Sequence, residues 1–197
     1  MKFNARSFAI IAAILVLSIG FGFAFDGVAT AIEKNQYPLS PRYIQDIREA
    51  AADYGIPEVV LWAIVRTESN FSSNHEGENG GIGLMQLTPD EFAMIQSDIL
   101  HVTPEDKGLL YDPQKNLQCG TAYLSYLYQR YGVWETVFAA FDAGTSAVDA
   151  WLANPEYTTE LGTLQNIPNT KTARFVRDVE KARELYTKLY FKEMNHI

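Results

Sequence analysis

The chain has 197 residues, 47% of them hydrophobic, 13% aromatic and 20% charged. This is the composition of a globular protein and excludes the apolar-poor, charge-rich signature of disorder. The net charge of −8 argues against a nucleic-acid partner, because phosphate binding needs clustered Lys and Arg. Cys119 is the sole cysteine and the three histidines are scattered, so no intramolecular disulfide and no metal-ligand spacing is available.

Lys2 and Arg6 precede an uncharged run from Ser7 to Phe25, followed by Ala29-Thr30-Ala31. That order of basic, apolar and small residues is the pattern of a secretory signal. As a helix, Phe8 to Phe25 would be about 27 Å long, close to the roughly 30 Å hydrocarbon core, so a retained membrane anchor is the alternative reading. Residues 1–31 are therefore assigned to a signal peptide or N-terminal anchor, and residues 32–39 to a short polar linker. Removal of residues 1–31 would leave the body more acidic still, since two bases and one acid go with them.

Residues 40–192 read as one domain, with 193–197 as a tail. Ser40-Pro41 supplies a cap and a first-turn proline for a helix carrying Ile44, Ile47, Ala51 and Tyr54 on one stripe, with Gly55 as its end. Ile56-Pro57-Glu58 opens the next helix, apolar on nearly every side from Val59 to Val65 and hence expected at the centre of the domain. It ends near Ser69-Asn70. Residues 72–83 are Gly-rich and polar, which predicts an irregular loop or a small turn of sheet.

Thr88-Pro89-Asp90-Glu91 is a capping-box signal for a short helix, and Thr103-Pro104-Glu105-Asp106 is a weaker copy of it. Leu117, Tyr123, Leu124, Leu127, Tyr128 and Tyr131 mark an amphipathic helix; Cys119 on it reads as a small buried residue. Trp134 to Ala143 and Thr145 to Ala153 read as two short helices hinged at Gly144. The last helix runs from about Lys171 to Phe191, with Phe175, Val179, Ala182, Tyr186 and Leu189 at helical spacing as a default core stripe. Strand-period alternation is absent beyond a few residues, so the fold class is mostly α.

Glu68 is the residue that carries chemistry. Three, four and seven positions before it stand Val65, Ile64 and Leu61, so its carboxyl leaves the helix on an apolar face. Desolvation there disfavours the charged form and keeps a carboxylic acid protonated, the state a general acid requires. Taken alone, the commoner fate of such a Glu is a frayed helix end facing water. The following Gly83-Leu84-Met85-Gln86-Leu87-Thr88-Pro89 segment shifts that balance. Its glycines admit close backbone approach, and Met85 and Gln86 pair an adaptable apolar contact with an amide that can bond another amide.

Glu68-Ser69-Asn70-Phe71 and Gly83 to Pro89 resemble the catalytic Glu-Ser-x-Phe and Gly-Leu-Met-Gln-Leu/Ile-x-Pro segments of the soluble-type (SLT) lytic transglycosylases, at the usual spacing. Asn116-Leu117 with Gly120 to Leu124, Ala140-Phe141-Asp142-Ala143-Gly144, and Ile167-Pro168 with Thr172, Phe175 and Val176 are similar to that family's later segments, in order. The resemblance implies a lysozyme-like helical domain that cleaves the β-1,4 bond between N-acetylmuramic acid and N-acetylglucosamine in peptidoglycan and leaves a 1,6-anhydro end. It implies Glu68 as acid and then base, and Ser69, Met85, Gln86, Phe141, Asp142 and Phe175 as substrate contacts, with no cofactor and no metal. The partner implied is the glycan strand, and the place is the exported cell envelope, with membrane association through residues 8–25 if the anchor is kept. Phe141 and Phe175 stand where the family has Tyr, Asp142 where it has Asn, and Lys171 where it has Glu. Stacking surface is retained while phenolic hydroxyls are lost. Two alternatives stay open: a goose-type-lysozyme-like hydrolase, and a glycan-binding component of an envelope complex.

Overall fold

The computed structural model describes residues 27–160 and 162–191; the apolar run 8–25 and the tail 193–197 lie outside the described residues. Among the described residues no helix is long and apolar enough to cross a membrane. The chain divides into two units, Met1–Pro38 and Leu39–Ile197. The described part of the first is a helix over 27–36, α1. Residues 32–36, expected as polar linker, are thus helical.

The second unit is built of helices: α2 (Ile44–Tyr54), α3 (Glu58–Glu68), α4 (Pro89–Met94), a π-helical turn (Ile95–Ile99), a 3-10 turn (Lys107–Tyr111), α5 (Pro113–Tyr131), α6 (Trp134–Ala143), α7 (Thr145–Leu152) and α8 (Thr170–Tyr190). Strand character among the described residues is confined to isolated bridges, Glu76 with Ile82, Ile82 with Leu87, and Thr158 with Leu164. The mostly α expectation holds.

Helix α3 is the centre. Val60 to Val65 are all at most 1% exposed, and each such side chain contributes roughly 1.5–3 kcal/mol of transfer free energy. Helix α8 packs most extensively on α3 and also packs on α6, while α2 packs on α5. Trp62 of α3 meets Tyr186 of α8 at 6.1 Å between ring centroids, and its indole N–H donates to Glu58 at 3.0 Å. The polar handle of a wholly buried ring is thereby satisfied.

Local signals set most helix starts. At α4, Thr88 Oγ1 accepts from the Glu91 N–H at 3.3 Å and Glu91 Oε2 accepts from the Thr88 N–H at 2.8 Å, the reciprocal bonds of a capping box. Two signals are overridden. Ser40-Pro41 does not open α2; it forms a turn closed by Tyr43 N–H to Ser40 O at 3.1 Å, and the helix begins at Ile44. Thr103 to Asp106 opens no α-helix; Glu105 pairs with Lys115 at 2.6 Å, and Asp106, the acid of the signal, is drawn to the following turn. Asp106 instead caps the 3-10 turn, accepting from Gly108 N–H at 2.8 Å. On α8, Val179, Ala182 and Tyr186 are core as the stripe requires, but Phe175 and Leu189 are only half-buried.

Candidate active site

Glu68 is the last residue of α3. The chain reverses immediately after it through Asn70 (φ 49°) and Phe71 (φ 64°). Left-handed backbone at two successive non-glycine residues costs of order 1–3 kcal/mol each. The Phe71 ring, held 5.5 Å from Trp62, anchors the reversal. It leaves the Glu68 carboxyl at the inner edge of a cleft of about 470 Å³.

The loop after the reversal forms one wall. Its base is clasped by Asn116 of α5, which is fully buried. The Asn116 amide donates to Ile82 O and Leu110 O, each at 2.9 Å, and accepts from Met85 N–H at 2.8 Å. Gly83, at φ 83°, passes so close to Leu110 O and the Asn116 amide that a Cβ has no room. Gln86, itself at φ 53°, donates through Nε2 to His75 O at 3.0 Å and Gly83 O at 2.8 Å. Gly81 lies against the Gln86 carbonyl, again with no space for a side chain.

The motif residues divide between the two sides of this wall. Glu68, Gln86, Phe141, Asp142 and Phe175 line the cleft together. Ser69 and Met85 do not. Ser69 is 7% exposed and its hydroxyl donates to Leu84 O at 2.8 Å, tying the end of α3 to the loop. Met85 is 0% exposed and packs on Gly120 of α5. Both were expected as substrate contacts; the structure places their side chains behind the wall, which they support. Cys119 is buried as expected, at 1% exposure.

Opposite the loop, Phe141 of α6 and Phe175 of α8 lie nearly parallel, 12° between planes and 6.5 Å between centroids, with Tyr123 of α5 5.8 Å from Phe141. Asp142 is fixed beside them: its Oδ2 accepts from Thr172 Oγ1 at 2.6 Å and its Oδ1 lies 3.9 Å from Lys171 Nζ.

The electrostatics follow from this packing. The Glu68 carboxyl is pushed up from 4.5 to about 8, first by burial and then by the Asp142 charge, with Lys171 opposing and Glu91 adding to the rise. It is therefore largely protonated at neutral pH and able to give up a proton. Burial and the nearby Glu91 likewise hold the Tyr123 phenol protonated well above its ordinary range.

Several cleft residues were not picked out by sequence as contacts. Glu91 was read solely as a capping partner, yet it faces the cleft, as do His75, Glu78, Lys171 and Arg174, and Tyr123 supplies a ring from the α5 helix. The Gly-x-x-Tyr-Leu segment was the available signal for Tyr123. Arg174 had none, because it lies one turn beyond Lys171 on a helix that joins the cleft only through tertiary packing.

A helical body whose central helix ends in a desolvated glutamate, facing an aromatic wall across a groove, defines the lysozyme-like class of folds. The sequence model of the transglycosylase SLT domain matches residues 45–161, and the chain belongs to that family. Soluble lytic murein transglycosylase of Escherichia coli (strain K12) is 32% identical over 149 residues, which cover 74% of this chain and 23% of that protein. Membrane-bound lytic murein transglycosylase C of Yersinia pestis (strain Pestoides F) is 32% identical over 94 residues, 46% of this chain and 25% of that protein. The crystal structure of the 70 kDa soluble lytic transglycosylase from Escherichia coli superposes with a TM-score of 0.70 at 27% identity, covering 82% of this chain and 26% of that one. A complex of the 70 kDa soluble lytic transglycosylase with bulgecin A gives 0.71 at the same identity. The chain thus spans about a quarter of the length of these relatives. Helix α8 lies beyond the matched 45–161 segment, yet it supplies Lys171, Arg174 and Phe175 to the cleft.

Proposed function

We propose that this chain is a peptidoglycan lytic transglycosylase acting in the cell envelope, with Glu68 as its acid and base. The observation that carries the reading is the Glu68 carboxyl, desolvated at the end of α3 and facing an aromatic-walled cleft. The Glu68 proton passes to the glycosidic oxygen as the muramic C1–O bond breaks, releasing N-acetylglucosamine with a free 4-hydroxyl. The oxocarbenium-like centre is stabilised by the substrate's own acetamido group. The Glu68 carboxylate then takes the proton of the muramic C6 hydroxyl as O6 bonds to C1, which closes a 1,6-anhydro ring without water.

A single carboxyl suffices for this cycle. The two other acids that act most on Glu68 are already engaged: Asp142 with the Thr172 hydroxyl and Glu91 with Thr88. That engagement supports the transglycosylase over the goose-type hydrolase, which needs an acid free to orient water. Phe141, Phe175 and Tyr123 present ring faces suited to sugar rings. The names of the relatives, soluble and membrane-bound lytic murein transglycosylases, support the same substrate.

Mass spectrometry of digested peptidoglycan tests the reading. Products ending in 1,6-anhydro-muramic acid are expected; reducing-end muramic acid would identify a hydrolase. No cleavage by wild type, with binding undiminished, would identify a glycan-binding role.

A further inference from the structure

We propose that Lys171 and Arg174 form an anion-reading pair on the α8 wall of the cleft, seating a carboxylate carried on the muramic acid unit and so favouring one register of the strand over Glu68. This rests on the substrate proposed above and adds which side chains set its placement.

The cleft is otherwise acidic. Glu78, Glu91, Asp142 and Asp178 line it from the loop, α4, α6 and α8, and the lysine and arginine side chains on its surface are Lys171 and Arg174, one turn apart on α8. An anionic substituent is repelled by these acids and attracted by the two cations, which stand beside Asp142 and share α8 with Asp178. Both cations have donors to give. Lys171 Nζ stands 3.9 Å from Asp142 Oδ1, too long for a charge-assisted hydrogen bond, and its side chain is 63% exposed. Asp142 meanwhile directs its other oxygen to Thr172. Arg174 forms no ion pair among the described residues, and the neighbouring Asp178 is met at 3.9 Å by Arg177 instead.

A peptidoglycan strand alternates a neutral sugar with one bearing a lactyl arm, and that arm ends in a carboxylate either directly or through its stem peptide. A strand shifted by one sugar moves that carboxylate away from the two cations.

The test measures binding by calorimetry with the full chain carrying Glu68→Gln, which stops turnover. The probes are peptide-free strands, peptide-bearing strands, each of these with its carboxyls converted to amides, and chitin oligosaccharide of equal length. Carboxylated strands are expected to bind about tenfold tighter than their amides, with the preference shrinking as salt rises. Adding Arg174→Gln or Lys171→Gln should erase most of that preference while leaving chitin affinity unchanged. Preference for the peptide-free strand assigns the lactyl carboxylate; preference confined to peptide-bearing strands assigns the stem. Equal affinity for acid and amide forms, or a preference indifferent to both substitutions, overturns the proposal. Failure of the transglycosylase reading shows separately, as wild type lacking anhydro products while the carboxylate preference persists.

Discussion

Thr172 donates its hydroxyl to Asp142 Oδ2 at 2.6 Å, joining α8 to α6 across thirty residues of sequence. The bond fixes a carboxylate whose charge, after burial itself, does most to keep Glu68 protonated. The acid at the end of one helix is thus tuned by a contact between two others.

Replacing Glu68 with Gln should lower the rate of strand cleavage about 10²–10⁴-fold, the usual worth of a positioned general acid and base. The amide is isosteric and introduces no buried charge, so the fold should persist. Turbidity loss of cell-wall suspensions measures the first effect and thermal unfolding the second.

Cleavage by wild type should decline as pH rises through about 8, where the Glu68 proton is lost. Stability should move the same way. The folded carboxyl sits above its ordinary 4.5, so between these values the folded state holds a proton that the unfolded chain has released, and stability falls as pH climbs. The melting temperature of Glu68→Gln should fall less over that interval. Parallel melting curves for both proteins across it would count against the shift.

Asp142→Asn should keep an acceptor for Thr172 while removing the negative charge. The alkaline limb of the pH–rate profile should then move to lower pH, because less repulsion opposes ionisation of Glu68. Lys171→Gln should move it to higher pH. Profiles of the two variants shifted in the same direction would refute this assignment.

Asn116→Ala strips partners from the Met85 N–H and from the carbonyls of Ile82 and Leu110. With about 1–3 kcal/mol for each buried group left unsatisfied, a loss of roughly 3–5 kcal/mol is expected. Gly83→Ala should cost a comparable amount by pushing on the same clasp. Urea unfolding measures both; a change below about 1 kcal/mol would show that the loop base relaxes freely.

Much of the framework was legible because it is local. The all-round apolar run of α3, the α8 stripe, the capping box at Thr88 and the break at Gly144 each declare themselves within a few residues. The start of α2 and the segment after Thr103 were misread: Tyr43 is buried ahead of the helix, and Asp106, the acid of the second signal, caps a 3-10 turn. At the cleft, the motifs brought Glu68, Gln86, Phe141, Asp142 and Phe175 to one groove. Spacing alone did not reveal that Met85 turns inward between the positive-φ residues Gly83 and Gln86, or that Ser69, at the C-cap of α3, gives its hydroxyl to Leu84 O. Arg174 and Glu91 converge only through packing.

The covering of α3 by α8 has a temporal side. Residues 170–190 leave the ribosome after all the other helices of the domain. Until they dock, Tyr186 is absent from Trp62, and Asp142 lacks its Thr172 anchor. A nascent or truncated chain ending before residue 170 therefore lacks the helix that packs on α3 and the Thr172 bond to Asp142. The surroundings of the Glu68 carboxyl are thus completed by the last helix made.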